Sequence, residues 1–189
     1  GAALESIALN SPRYGRLDNH KLPLEVVSLE TKGHPSLLLA LEKGGEFLAE
    51  RNWEVKSQGS DEMGFPNDVV FRIEWAQRGL AIEKHYHVEP GPNAYSVDLT
   101  LRFENLRTQA QEVAYTLTGP NGIPLEGLEY TRTFREVAVA FLNEDSDSVS
   151  ASTLDVKSLV KQAQKNEVEN WTEKPLKYVG VTSQYFAAV

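Results

Sequence analysis

The sequence has no cysteine. That excludes a disulfide framework, a cysteine-ligated zinc site and a thiol nucleophile. It has no apolar run near the ~18–20 residues that a membrane-spanning helix needs, and no basic segment leading into an apolar run at its start, as a signal peptide would have. Positive charge is in short supply. Against 27 Asp and Glu there are 19 Lys and Arg, a formal net charge of −8. This argues against the clustered basic surface of a nucleic-acid binder and against a strong polybasic grip on anionic lipid. The signature loops of several enzyme classes are missing too. No Gly-x-Ser-x-Gly turn frames a serine. Gly44-Gly45 and Gly119-Pro120-Asn121-Gly122 match neither a Gly-x-Gly-x-x-Gly sequence nor a phosphate loop ending in Lys-Ser/Thr, and turn formation accounts for both.

What is present is a period of two. Val69, Phe71, Ile73 and Trp75 alternate with Val70, Arg72, Glu74 and Ala76, which predicts a half-buried strand. In the next segment Leu80, Ile82, Lys84, Tyr86 and Val88 point one way, and Ala81, Glu83, His85 and His87 the other. Gln77-Arg78-Gly79 between them is short and ends in glycine, as a hairpin turn does. Glu89-Pro90-Gly91-Pro92-Asn93 is a second turn. A third strand follows from Tyr95 to Phe103, and a fourth is expected from Ala110 to Thr118, the four making an antiparallel meander. Ala3–Leu9, Leu24–Leu29, Leu37–Leu41, Arg132–Leu142 and Tyr178–Phe186 are further strand candidates. Asn143–Ser148 is an acidic turn. Thr153–Gln164 carries Leu154, Val156, Leu159, Val160 and Ala163 at helical spacing, which predicts a short amphipathic helix with Ser152 or Thr153 near its N-cap. The expected class is mainly β, an antiparallel β-sandwich of about ten strands with one or two short helices, in a single domain over residues 1–189.

Glu83, His85 and His87 share one face of a strand, and two imidazoles with a carboxylate are a possible divalent-metal set. The alternative is a solvated face of a half-polar strand, and Lys84 and Tyr86 on the apolar side favour it. Glu144, Asp145 and Asp147 resemble part of a calcium loop but lack the glycine and the distal bidentate glutamate of that pattern. Trp75 ends an alternating strand on its apolar side and is expected in the core. Trp53 and Trp171 are flanked by polar residues and are candidates for a partner-binding surface, as are Tyr185 and Phe186 near the end.

Several segments resemble the large extracytoplasmic domain of the YidC-type membrane protein insertases. Gly1-Ala2-Ala3-Leu4-Glu5-Ser6-Ile7-Ala8-Leu9 is similar to that family's Gly-Gly-x-Ile-x-Ser-x-x-Leu strand, without the Asn-x-Gly turn that precedes it there. Lys21-Leu22-Pro23-Leu24-Glu25 resembles its Lys-Pro-Leu-x-Leu strand. Gly79-Leu80-Ala81-Ile82-Glu83-Lys84-His85-Tyr86-His87-Val88 resembles Gly-Leu-x-Ile-x-Lys-x-Tyr/Phe-x-Phe, a pattern that leaves the positions of His85 and His87 open. The segment from Tyr95 to Asn105 is similar to Tyr-x-Ile-x-Val followed by a late Asn. Tyr178 to Ala188, with Tyr185-Phe186 inside it, resembles the segment that leads into the family's interfacial and transmembrane helices. The resemblance does not reach residues 42–66 or 125–170.

The resemblance implies a β-supersandwich of the sugar-mutarotase-like kind, excised from a longer membrane protein. It implies an inner-membrane location in bacteria with this domain on the periplasmic side. The implied role is a non-catalytic accessory to membrane protein insertion and folding, with contacts to Sec translocon auxiliary subunits and nascent membrane proteins. It implies no cofactor and no catalytic residue. The same architecture also hosts carbohydrate-binding and aldose-epimerase-like domains. An epimerase needs a positioned acid and base, for which His85 or His87 with a glutamate is the only candidate set.

Overall fold

The computed structural model describes residues 1–9, 13, 15, 19, 21–27, 35–41, 48–89, 96–120, 135–143, 148–167, 175–182 and 187–188. Within them the chain is mainly β, with antiparallel strand pairing and one α-helix, consistent with the expected β-sandwich class. The chain divides into two compact units. One comprises Gly1–Ala2 and Leu39–Thr116, the other Ala3–Leu38 and Leu117–Val189.

The first unit is built on a four-stranded meander. Its strands are β4 (Glu54–Ser60), β5 (Pro66–Trp75), β6 (Leu80–Val88) and β7 (Val97–Asn105), in that spatial order. Trp75 pairs with Leu80 across the β5–β6 turn. Gly79 takes φ +60° there, a conformation open to glycine at little cost. A side chain at that position would collide with Arg107, whose guanidinium donates to the Gln77 carbonyl at 2.9 Å. The expected alternation holds from Ile82 to His87, with Ile82, Lys84 and Tyr86 buried and Glu83, His85 and His87 half-buried, and it fails at the two ends, where Ala81 is buried beside Leu80 and Val88 is exposed. Leu80 and Ile82 join Trp75 and Leu48 in one core, together with Leu39 and Leu41 of β3 (Leu39–Leu41). Trp53, Ile73, Leu101, Phe103 and Val113 pack against it.

The expected fourth meander strand is corrected. Within Ala110–Thr118 only β8 (Tyr115–Leu117) is a strand, and it pairs with β3. Of the apolar residues in this segment Val113 packs on the core, the exposed Tyr115 sets its ring 4.9 Å from that of Phe103, and Leu117 is exposed. The fourth place in the sheet goes to β4, which is almost wholly exposed and so carries no apolar alternation.

In the second unit β1 (Ile7–Leu9) pairs with β2 (Leu24–Val27). A separate sheet has the order β10 (Val149–Asp155), β9 (Glu136–Leu142), β11 (Leu176–Thr182), β12 (Ala187–Ala188). Among its described residues Val139, Ala140 and Phe141 of β9 and Gly180 of β11 are buried. Residues 144–147 of the expected acidic turn lie outside the described residues; on either side of them the Asn143 side chain donates to Ser148 Oγ at 2.7 Å. The helix starts later than its spacing suggests. It is α1 (Val156–Gln164), and its N-cap is Asp155 rather than Ser152 or Thr153, with the Asp155 carboxylate accepting from the Ser158 N–H at 2.6 Å. The reason is that β10 stays paired with β9 as far as Asp155 opposite Glu136, leaving residues 149–155 extended.

Candidate functional site

The outward face of the meander gathers nearly all the polar side chains singled out in its sequence. Antiparallel register aligns them in rows, since directly opposed residues share a face. Arg72, Glu83 and Arg102 form one row and Asp68, His87 and Asp98 another. A bulge in β4 between Val55 and Ser57 sets Lys56 apart from the regular ladder, and bulges commonly redirect side chains in this way.

Two charge clusters result. In the first, Arg72 Nη1 donates to Glu83 Oε1 and to Glu104 Oε2, both at 2.9 Å, and Nη2 donates to Glu74 at 2.8 Å. Glu83 also accepts from Lys56 Nζ at 2.7 Å, and Arg102 stands 3.8 Å from it. Lys56 first and Arg72 second hold the Glu83 carboxyl below the usual glutamate range. The bonds from Arg72 to Glu74, Glu104 and Glu83 raise the guanidinium further above its already high value. In the second cluster Asp68 bridges two imidazoles. Its Oδ1 meets His85 Nε2, and its Oδ2 lies 2.6 Å from His87 Nδ1. The bonds to His87 and then His85 hold the Asp68 carboxyl below its ordinary value.

Glu83, His85 and His87 are therefore neighbours on one strand with separate partners. Glu83 belongs to Lys56 and Arg72, and the histidines share Asp68. Among the described residues no three His, Asp or Glu side chains are arranged to hold a metal ion. A carboxyl kept ionised by two cations is a poor general acid, because the proton it would donate is already gone. Counting outward from the β5–β6 turn places Arg72 opposite Glu83 and Asp68 opposite His87, so the turn and the alternation together contain the signal for both clusters.

The inward face of β6 carries a lysine. Lys84 is fully buried and donates to the Ala2 carbonyl at 3.0 Å, which also accepts from the Tyr86 hydroxyl at 2.8 Å. Its ammonium lies 5.4 Å from the centre of the Trp53 ring, within reach of a cation–π attraction. Burial lowers the Lys84 pKa to about 8 and raises that of Tyr86 to about 12. Trp53 is half-buried, and its indole N–H donates to the Leu48 carbonyl at 3.1 Å. That gives it a packing role. Trp171, Tyr185 and Phe186 lie outside the described residues, as do Glu144, Asp145 and Asp147.

One surface carries no sequence signal of the kinds considered above. At the β4–β5 turn Met63 is 74% and Phe65 64% exposed, the highest values among the exposed large apolar residues described. The turn is closely bonded. The Asp61 carboxylate accepts from the Met63 and Phe65 N–H groups, both at 2.9 Å. Asp61 N–H donates to the Phe65 carbonyl and Gly64 N–H to the Asp61 carbonyl, again at 2.9 Å. Gly64 has φ +82°, which a side chain would resist.

The fold and these surfaces define a mainly β domain with an ion-paired outer face and an exposed apolar turn, and no described helix is long and apolar enough to cross a membrane. The model of the YidC periplasmic domain matches residues 1–189, the whole chain. The chain belongs to that family, which makes it a periplasmic accessory domain of a membrane protein insertase. No curated protein and no solved structure gives a match.

Proposed function

We propose that this domain acts by contact and without chemistry of its own. It assists insertion and folding of inner-membrane proteins from the periplasmic side, meeting Sec translocon auxiliary subunits and nascent membrane proteins, and residues 1–189 work as one domain. The carrying observation is that the family match spans the chain from end to end. The outer face supports the reading. Its acids and bases are matched to one another across β4–β7, an arrangement that suits a stable surface better than a site that must exchange protons with a substrate.

The test is deletion of residues 1–189 from the full-length membrane protein. Co-purification of Sec auxiliary subunits should fall at least tenfold, while a test substrate is still inserted to a measurable extent. Unchanged co-purification would contradict the contact role. A complete loss of insertion, with the membrane part still folded, would contradict the accessory role. A monosaccharide titration of the isolated domain, followed by tryptophan fluorescence, should be flat.

A further inference from the structure

We infer that the β4–β5 turn is a preformed docking knob, in which Met63 and Phe65 enter an apolar pocket bordered by Lys or Arg on a folded protein partner. Three observations meet here. First, the two side chains are the most exposed of the large apolar residues described, at 74% and 64%, and they stand two residues apart on one turn. Single exposed apolar residues are ordinary, and here two stand close together on one turn. Methionine adapts its shape to a pocket, and both Met and Phe are enriched in interface cores.

Second, the turn is rigid before any partner arrives. The Asp61 carboxylate holds the N–H groups of both Met63 and Phe65, and two backbone hydrogen bonds close the loop beneath them. A surface already held in its bound shape loses less conformational entropy on association. Nothing in a solvent-filled turn requires the apolar side chains to be presented so firmly.

Third, charge selects the partner. From Ser57 to Phe71 the chain contains no Lys or Arg, while Asp61 and Glu62 of the turn are acidic. An anionic lipid surface would repel such a tip. A protein pocket with a basic rim would attract it, and complementary charge steers encounter and fixes orientation. Two side chains form too small a contact to hold a complex of freely diffusing proteins. Partners anchored in the same membrane meet at high effective concentration, so a small contact suffices.

This inference rests on the contact role proposed above, and the experiment separates the two. A photo-crosslinking phenylalanine analogue is placed at position 63 or 65 of the full-length protein, and at the control positions 102, 157 and 176, in membranes containing the Sec auxiliary subunits. Crosslinks to a Sec auxiliary subunit from 63 and 65, at least tenfold above those from the controls, are expected. The Met63→Ser/Phe65→Ser double variant should lose at least tenfold in Sec co-purification with its thermal midpoint unchanged, because both side chains are exposed. Glu62→Lys should weaken co-purification several-fold. Crosslinks from the controls but not from 63 or 65 would overturn the knob and leave the contact role standing. No crosslink from any position would overturn both. Crosslinks from 63 and 65 to lipid or to newly made chains alone would overturn the assigned partner, and an unchanged or stronger complex with Glu62→Lys would overturn the basic rim.

Discussion

On the inward face of β6, Leu80 and Ile82 sit in the core and Lys84 and Tyr86 are buried beside them. On the outward face of the same strand, Glu83, His85 and His87 are half-buried and bonded to residues of β4 and β5. The backbone is shared, so the difference between the faces is one of side chains and solvent. Burial dominates the inner face, to the point of lowering the pKa of a lysine. Pairing dominates the outer face, where charges in partial contact with water gain little individually. Stability is therefore expected to reside on one side of the strand. The other side is left to solubility and contact.

The largest expected effect is on the core that the inner face closes. Leu39, 2% exposed, packs in the cluster with Ile82. Leu39→Ala should cost about 3 kcal/mol of unfolding free energy, within the range for a buried leucine, measured by urea denaturation. A cost below about 1 kcal/mol would remove the distinction between the faces.

Lys84 sharpens it. Its ammonium has a pKa of about 8 in the folded domain, against an ordinary 10.5. Between those values the unfolded chain binds more protons than the folded one, so stability rises with pH. From pH 7.5 to 9.5 the gain should be about 2 kcal/mol, and Lys84→Met should abolish it. Above pH 10 Tyr86 acts in the opposite direction. Its phenol has a folded value of about 12 and keeps its proton when the unfolded chain has lost it, so stability falls again there.

The outer face should respond less. Glu83→Gln removes one charge from a cluster that keeps Arg72, Glu74 and Glu104 together, and the expected loss is about 1 kcal/mol. The smallest effect concerns Asp68. Its carboxyl is held below its ordinary value, so its contribution is present above about pH 4 and disappears as pH falls through the folded value. Asp68→Asn should flatten that part of the acid unfolding profile and lower neutral stability by the small amount that Asp68 contributes there.

The same contrast explains how much was legible in the sequence. Strands β5, β6 and β7 announce themselves because one side of each is apolar. The strand β4 does not, since Glu54–Ser60 pairs through its backbone with its side chains almost all in solvent. For a similar reason β10 is hidden: Val149-Ser150-Ala151-Ser152-Thr153 is small and polar, and its role as a strand comes from the ladder to β9. Missing it misplaced the helix start by about one turn. In Ala110–Thr118 the core contact of Val113 and the short exposed strand Tyr115–Leu117 together imitated one longer strand. At the outer face, Glu83, His85 and His87 were legible as neighbours on one strand, while Asp68 and Arg72 emerge as their partners only when the hairpin register is counted from the β5–β6 turn, a step that alternation alone does not supply. Met63 and Phe65 gave no periodic signal at all. Their exposure follows from the bonding of a five-residue turn.

The two faces of β6 divide stability from surface contact. The most direct test of that division is an alanine variant at each of Leu80, Ile82, Glu83, Lys84, His85, Tyr86 and His87, with unfolding free energies from urea denaturation at pH 7. A saw-tooth is expected, with losses of roughly 2–4 kcal/mol at Leu80, Ile82 and Tyr86 and about 1 kcal/mol or less at Glu83, His85 and His87. Losses of equal size on both sides of the strand would contradict it.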